Sequence, residues 1–199
     1  MSSSRTMPDR LRLPFQFDVA RLQADLASLP AGTWVRHFNT MNYEGEWSGV
    51  PLRAVAGSAQ ALYPDPTGLE RYEDTPLLAS CPAFQDVLAA FSCPIGSARL
   101  LKLAAGAHIR EHTDYNLGFD DGEVRLHVPI VTHPDVAFFV AGQRVRLLPG
   151  ECWYLDLNLP HRVDNPSDTN RVHLVLDCVV DDWLRGIFEQ ARAESLRVA

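Results

Sequence analysis

In the stretch REHTDYNLG, residues 110 to 118, His112 and Asp114 stand two apart at the end of a partly apolar run. Along a strand, residues i and i+2 project to the same side, so the pair presents an imidazole and a carboxylate to one point in space. A ferrous ion that activates O2 wants two imidazoles and one carboxylate on one face, with the opposite face left open. The third ligand must then come from a distant segment that folds back alongside. His161, in NLPHRVDN, is the candidate, and LPGECWYLD before it supplies a turn and a strand to bring it there. A basic residue, Arg171, follows ten positions later. By itself His-x-Asp is a weak signal, and a solvated loop is the plain alternative; the surrounding segments give it weight. His108 and Glu111 are competing ligands. A helical His108–His112 zinc pair is disfavoured, because AAGA and the neighbouring β-like runs break a helix. His37 and His133 read as surface or satisfied loop histidines.

Two further segments echo each other. RLHVPIV (125–131) and RVHLVLD (171–177) both begin Arg-x-His. Side chains alternate faces along a strand, so Arg125 and His127 oppose Val124, Leu126, Val128 and Ile130. Arg171 and His173 likewise oppose Val172, Leu174 and Leu176. Each polar face turns apolar further along, at Pro129 and Val131 or at Val175. A mixed face of this kind suits the inside of a small barrel that holds a polar ligand near one end. The expectation is that Arg125, His127 and Arg171 project into one cavity while Val124, Leu126, Val172 and Leu174 pack on the outer side against helices or another layer.

These residues need elements to position them. Short β-like runs recur from Ser97 onward: ARLLKLA, EVRLHVPIV, VAFFV, QRVRLL, ECWYLD and RVHLVLD, with turn residues between them. Upstream, LPFQFD (13–18) reads as a strand and Asp18 as the N-cap of a helix, VARLQADLASL, stopped by Pro30. Residues 33–55 read as strands, 56–76 as a loop rich in Pro, Gly and Asp, and 81–91 as a second helix with Pro82 near its start. The last segment, DDWLRGIFEQARAESL (181–196), reads as an amphipathic helix that turns Leu184, Ile187, Phe188 and Ala191 inward. The result is one mainly β domain over 13–199, a sandwich or barrel flanked by helices, with its metal-binding core at about 97–180 and residues 1–12 as a disordered arm.

The bulk numbers bound the function. With 199 residues, 46% hydrophobic and 22% charged, the chain has the composition of a soluble globular domain with a sizeable core. No apolar run reaches the ~18 residues of a membrane span, and MSSSRTMPDRLR lacks the apolar stretch of a secretory signal. A net charge of −7 without a basic stripe argues against a nucleic-acid surface. Cys81, Cys93, Cys152 and Cys178 are widely spaced with no CxxC pair, which suggests reduced, buried thiols in a cytoplasmic protein.

The region from about 97 to 180 resembles the aspartyl/asparaginyl β-hydroxylase family of Fe(II)/2-oxoglutarate-dependent oxygenases, and in particular its bacterial proline hydroxylase branch. HTDYNLG, RLHVPIV, PGECWYLDLNLPHRVDN and RVHLVLD carry the resemblance, in the family's order. GEWSGVPLR (45–53) matches its upstream tryptophan segment more loosely. The resemblance implies a double-stranded β-helix (jelly-roll or cupin-like). It implies that His112, Asp114 and His161 bind Fe(II), that Arg171 pairs with the far carboxylate of 2-oxoglutarate, and that Arg125 and His127 lie near this cosubstrate. Trp47 is either core or a wall of the cosubstrate site. The implied reaction uses O2 to hydroxylate an unactivated C–H of an amino acid, a peptidyl residue or a small natural product, with decarboxylation of 2-oxoglutarate to succinate. Animal aspartyl hydroxylases of the family lack the carboxylate ligand; this sequence has Asp114, which favours a small amino acid or natural product. Two alternatives stay open: a cupin-type metalloenzyme without 2-oxoglutarate, against which Arg171 speaks, and a non-catalytic binding module on the same fold.

Overall fold

The alternation of apolar and polar residues becomes two antiparallel sheets facing each other in the computed structural model, which describes residues 7–63 and 71–198. The elements run β1 (Arg10–Gln16), α1 (Val19–Ser28), β2 (Val35–Arg36), β3 (Tyr43–Glu44), β4 (Trp47–Val55), β5 (Tyr72–Asp74), α2 (Pro82–Ala89), β6 (Ile95–Leu103), β7 (His108–His112), β8 (Glu123–Val131), β9 (Ala137–Val140), β10 (Gln143–Val145), β11 (Glu151–Leu155), β12 (His161–Asp164), β13 (Arg171–Val179) and α3 (Asp182–Val198). The larger sheet has the order β1-β11-β8-β13-β6-β4-β2, with β5 also on β4. The smaller has the order β10-β9-β12-β7-β3. From β6 to β13 the chain passes back and forth between the sheets, which is the winding of a double-stranded β-helix.

Alternation sorts the side chains of the larger sheet into two layers. Val124, Leu126, Val128 and Ile130 of β8 and Val172, Leu174 and Leu176 of β13 face outward, into a core completed by Leu22 of α1, Phe84 and Val87 of α2, and Leu184 and Phe188 of α3. Each such side chain is worth about 1.5–3 kcal/mol on burial, so this outer layer carries much of the fold's stability. The inner layer, between the sheets, is smaller. It contains Trp47, Leu101, Leu103, Phe138, Val140, Leu155, Val163 and Val175. It is interrupted by buried Arg99, His127, Arg171, His173 and Asp177.

The helices are fixed by their ends as well as by their faces. Asp18 accepts hydrogen bonds from the N–H groups of Ala20 and Arg21 at 3.0 and 3.2 Å, the N-cap that its position predicts. α2 begins with Pro82 and has no side-chain cap of its own. Asp25 of α1 supplies one: its Oδ2 accepts from Ala83 N at 2.7 Å and Phe84 N at 3.1 Å, satisfying two donors that the first turn leaves open. In α3, Leu184, Phe188 and Ala191 are buried and Ile187 is half-buried.

Two expectations are corrected. The N-terminal strand starts at Arg10, inside the segment expected to be a disordered arm, and pairs Arg10 with Leu155 and Leu11 with Tyr154. The charged–apolar alternation of RLRLPF is the reason, since it buries Leu11 and Leu13 while Arg10 and Arg12 stay at the surface side. Residues 1–6 lie outside the described residues. In the expected loop at 56–76, Tyr72–Asp74 forms β5 and pairs with Val55, Ala54 and Arg53; residues 64–70 of that stretch also lie outside the described residues. Between β3 and β4 the chain crosses from the smaller sheet to the larger at Gly45. Its φ is +84°, and a Cβ there would lie 2.7 Å from that of Ala107, so only glycine fits a crossing this tight.

Candidate metal centre

β7 and β12 are neighbours in the smaller sheet, and their register sets His112 directly opposite His161. The two rings lie 4.2 Å apart between centroids. Asp114 follows just past the end of β7, where its backbone N–H donates to Leu157 O at 2.9 Å. Its Oδ1 is 3.8 Å from His112 Nε2. One donor atom from each of the three residues lies within 4.8 Å of the others. With metal–ligand distances of about 2 Å, that spacing fits a single ion. The competitors stay outside: His108 turns toward Glu44, 4.0 Å away, and Glu111 is exposed.

Both imidazoles are oriented by the backbone carbonyl two residues before them. His112 Nδ1 donates to Arg110 O at 2.8 Å, and His161 Nδ1 donates to Leu159 O at 3.0 Å. In each ring Nε2 is left as the lone-pair donor, which is how a metal-ligating histidine is usually held. Burial lowers the pKa of His161 and keeps it neutral, as coordination requires.

The carboxylate ligand is held by a charge network that sequence reasoning reached only in part. Arg125 Nη1 donates to Asp114 Oδ2 at 2.7 Å, while its Nε and Nη2 donate to Asp177 Oδ1 and Oδ2 at 2.6 and 3.0 Å. Asp177 Oδ2 also accepts from Arg99 Nη1 at 2.9 Å and from Ser97 Oγ at 2.7 Å, and Arg99 Nη1 contacts Ser97 Oγ. Arg99, Asp177 and Ser97 were missed, and no local pattern marks them: they meet only because β13 pairs with both β6 and β8. Burial disfavours the charged form of Asp177, but Arg125 and Arg99 outweigh it and hold this carboxyl far below the ordinary range. Burial likewise opposes the charge on Arg125, yet Asp177 and Asp114 raise its pKa. Two guanidinium groups and two carboxylates thus balance, and Asp114 Oδ1 is the oxygen left on the histidine side.

His37 lies beside this network. Of the two expected settings, surface or satisfied loop, it takes the second: it follows β2 in a loop, buried and stacked on Trp47 with centroids 3.5 Å apart and planes 11° apart. Its Nδ1 accepts from Asn39 N at 3.3 Å. Burial first, then Arg99 and Arg125, pushes its pKa down to about 3, so it is a neutral imidazole beside this network. Trp47 belongs to the inter-sheet core, and its buried Nε1 has no hydrogen-bond partner.

At the other end of β13 stands the remaining polar group of the inner face. Arg171 is 2% exposed. Its Nη2 donates to His173 Nδ1 at 2.8 Å, its guanidinium lies 5.6 Å from the centre of the Phe138 ring, and its Nε is unpaired. Among the described residues no carboxylate neutralises it. Burial alone lowers it to about 9, so it remains charged at neutral pH. Between Arg171 and the histidine pair sits His127, with both ring nitrogens buried and unpaired. Its ring stands 5.6 Å from Phe138 and 5.8 Å from His173. Burial, and then Arg171, holds its pKa well below the ordinary value. Arg125, His127 and Arg171 share the inner face but not one cavity: they are strung along the barrel, with Arg125 at the Asp114 end and Arg171 at the other, in a cavity that neither Arg125 nor His127 lines.

Fold and donor set together define a double-stranded β-helix with a two-histidine, one-carboxylate centre at one end of the barrel. The chain belongs to the aspartyl/asparaginyl β-hydroxylase family, whose pattern it matches over residues 16–180. It is 29% identical over 174 residues to an L-proline cis-4-hydroxylase of Rhizobium meliloti (strain 1021); the match covers 81% of this chain and 58% of the relative, so the chain spans less than two thirds of that protein's length. Among solved structures, an oxidoreductase of the 2OG-Fe(II) oxygenase family from Burkholderia pseudomallei superposes with a TM-score of 0.55 at 15% identity, covering 86% of this chain and 85% of the other. A viral collagen prolyl hydroxylase from Paramecium bursaria Chlorella virus-1 does so at 0.51 and 7% identity, covering 89% of this chain and 100% of the other. At these identities the structures attest the fold.

Proposed function

We propose that the protein is an Fe(II)- and 2-oxoglutarate-dependent dioxygenase that hydroxylates an unactivated C–H of a small substrate, with 2-oxoglutarate converted to succinate. The observation that carries this reading is the convergence of donor atoms from His112, Asp114 and His161 within 4.8 Å, in a donor set that suits ferrous iron. Bound there, the iron would supply O2 activation and C–H oxidation. The chain's own part is to hold and orient. Nδ1–H bonds to backbone carbonyls aim both imidazoles, and Arg125 fixes one oxygen of Asp114. Arg171 offers a charged fork in a dry setting, which matches the distal carboxylate of 2-oxoglutarate. A metalloenzyme that uses no 2-oxo acid has no need of a buried guanidinium without an anion. The relative named for L-proline makes a small cyclic amino acid the first substrate to test. The net charge of −7 and four buried free thiols support a cytoplasmic enzyme acting on small molecules rather than on nucleic acid.

The test has two arms. Anaerobic titration of the Fe(II) protein with 2-oxoglutarate should develop the Fe(II)–2-oxo acid charge-transfer band. Losing one side of a buried charge pair costs ~2–5 kcal/mol, so Arg171→Ala should raise the Kd by about 30-fold or more with iron affinity nearly unchanged, and Arg171→Lys should fall between. An Arg171→Ala protein that titrates like the parent refutes the anchor. In the second arm, L-proline and other amino acids are screened by mass spectrometry for a gain of one oxygen that depends on 2-oxoglutarate and is matched by succinate.

A further inference from the structure

A cavity of about 540 Å³ lies apart from the candidate metal centre. Arg171 and His173 form its inner wall, and Arg144, Arg146 and His133 also line it, but His112, Asp114 and His161 do not. Its place follows from the register. Val172 pairs with Val131, so the chain leaving β8 at residues 132–134 passes beside Arg171. The Asp114 end of the barrel is marked by Asp177, six residues further along β13 and bridged to Asp114 by Arg125. The cavity therefore opens at the end of the barrel away from the metal ligands.

Its charge is one-sided. Three arginines line it and no carboxylate does, in a chain where 25 acidic residues outnumber 18 basic ones. Arg144 donates to Pro134 O at 2.7 Å and Val136 O at 3.1 Å, which pins its guanidinium at the mouth without neutralising it. Arg146 is exposed and has no ion pair among the described residues. Two acids stand behind the wall without being part of it: Asp135, 3.5 Å from His133, and Glu151, whose Oε2 accepts from Leu148 N at 3.0 Å and faces Arg12 and Trp153. At the inner end waits the unpaired Nε of Arg171.

We propose that this cavity is a second mouth of the barrel, through which a small dicarboxylate dianion reaches Arg171 from the side opposite the metal. The proposal rests on the cosubstrate reading above and adds a route to it. A dianion arriving at the metal end would pass the carboxylates of Asp114 and Asp177; one arriving here passes a lining whose formal charges are three arginines. Rows of like charge at a concave entrance raise the association rates of oppositely charged ligands by 10-fold or more at low salt. Two mouths also let 2-oxoglutarate enter, and succinate leave, while a substrate covers the metal end.

The experiment is anaerobic stopped-flow binding of 2-oxoglutarate to the Fe(II) protein, followed through the charge-transfer band at low and high ionic strength. Arg146→Glu should slow association by about 3- to 10-fold at low salt, with the difference closing near 0.5 M salt as screening shortens the field. Leu148→Trp, at an exposed position on the cavity wall, should slow association and dissociation by the same factor and leave the Kd unchanged. Met41→Glu, exposed beside β7, should leave association as in the parent. An Arg146→Glu protein with the parent's rate and salt dependence, or slowing by Met41→Glu alone, overturns the second mouth. If the parent binds 2-oxoglutarate and Arg171→Ala does not, such a result overturns the route and leaves the anchor standing. A parent that binds no 2-oxoglutarate overturns both.

Discussion

Replacing Asp177 by Asn should be among the most damaging single changes to this chain, although the side chain keeps its shape. Asp177 is buried and accepts four hydrogen bonds, two from Arg125 and one each from Arg99 and Ser97. An amide in its place carries no charge, and its NH2 faces donors. The network then holds two guanidinium groups against one carboxylate, Asp114. Breaking a buried pair by removing one partner costs about 3–5 kcal/mol. For a domain of this size each kcal/mol lowers Tm by about 2–4 °C, so Asp177→Asn should melt roughly 6–20 °C below the parent by calorimetry. A second change gives the charge argument its own sign. Arg99→Met alone should destabilise, because it leaves Asp177 with one cation fewer. Added to Asp177→Asn, it should stabilise, because it removes the surplus cation. A drop of less than about 2 °C for Asp177→Asn, or an Arg99→Met effect of the same sign in both backgrounds, refutes the charge balance described for this network.

Arg125→Met should weaken Fe(II) or Ni(II) binding by about 10- to 100-fold, the usual cost of losing a group that orients a ligand, as measured by calorimetric titration; unchanged affinity would remove Arg125 from the metal's support. Asp114→Ala should lose tight metal binding while its circular dichroism stays that of the parent, and stoichiometric binding by the variant would disqualify this carboxylate as a ligand. Asp25→Ala strips two N–H groups at the start of α2 of their acceptor and should cost about 1–3 kcal/mol in urea denaturation; a loss below 0.5 kcal/mol would mean that water replaces the cap. The pH dependence follows from the buried histidines. Burial holds His127 and His173 well below their ordinary pKa and His37 near 3, so as pH falls below about 6.5 the unfolded chain takes up protons first. Stability is thus full above that pH and declines below it, by up to about 1.4 kcal/mol per pH unit for each such histidine. His37→Phe, which keeps a ring against Trp47, should flatten this decline between pH 6.5 and 5; an identical slope would show that His37 is reached by solvent.

The barrel and the His112–Asp114 pair were legible because both depend on short-range periodicity, whereas His161 was only a candidate from a distant segment. Alternation in RLHVPIV and RVHLVLD separates an outward apolar face from an inward polar one, and the same period puts His112 and Asp114 on one side. The partners of Arg125 were not legible. Arg99 and Asp177 lie 78 residues apart, and only the pairing of β13 with β6 brings them together. Each read alone as an ordinary strand charge. The burial of His37 was not legible for a related reason: a histidine after WVR is polar by type, and nothing local shows that Trp47, across the tight crossing at Gly45, provides a flat surface to bury it. The early start of β1 was visible in RLRLPF, where alternation already runs through residues assigned to the arm.

The cross-strand pairing of His112 with His161 has a consequence for assembly. Two of the three metal donors are fixed by the register of a single ladder rather than by loops, and a slip of one residue between β7 and β12 would carry one imidazole to the opposite face. A bound ion therefore acts as a bolt across that ladder, selecting the one alignment of the smaller sheet in which both rings converge. It should protect the backbone amides of β7 and β12 from hydrogen exchange more than those of β13, even though β13 lies in the middle of the larger sheet.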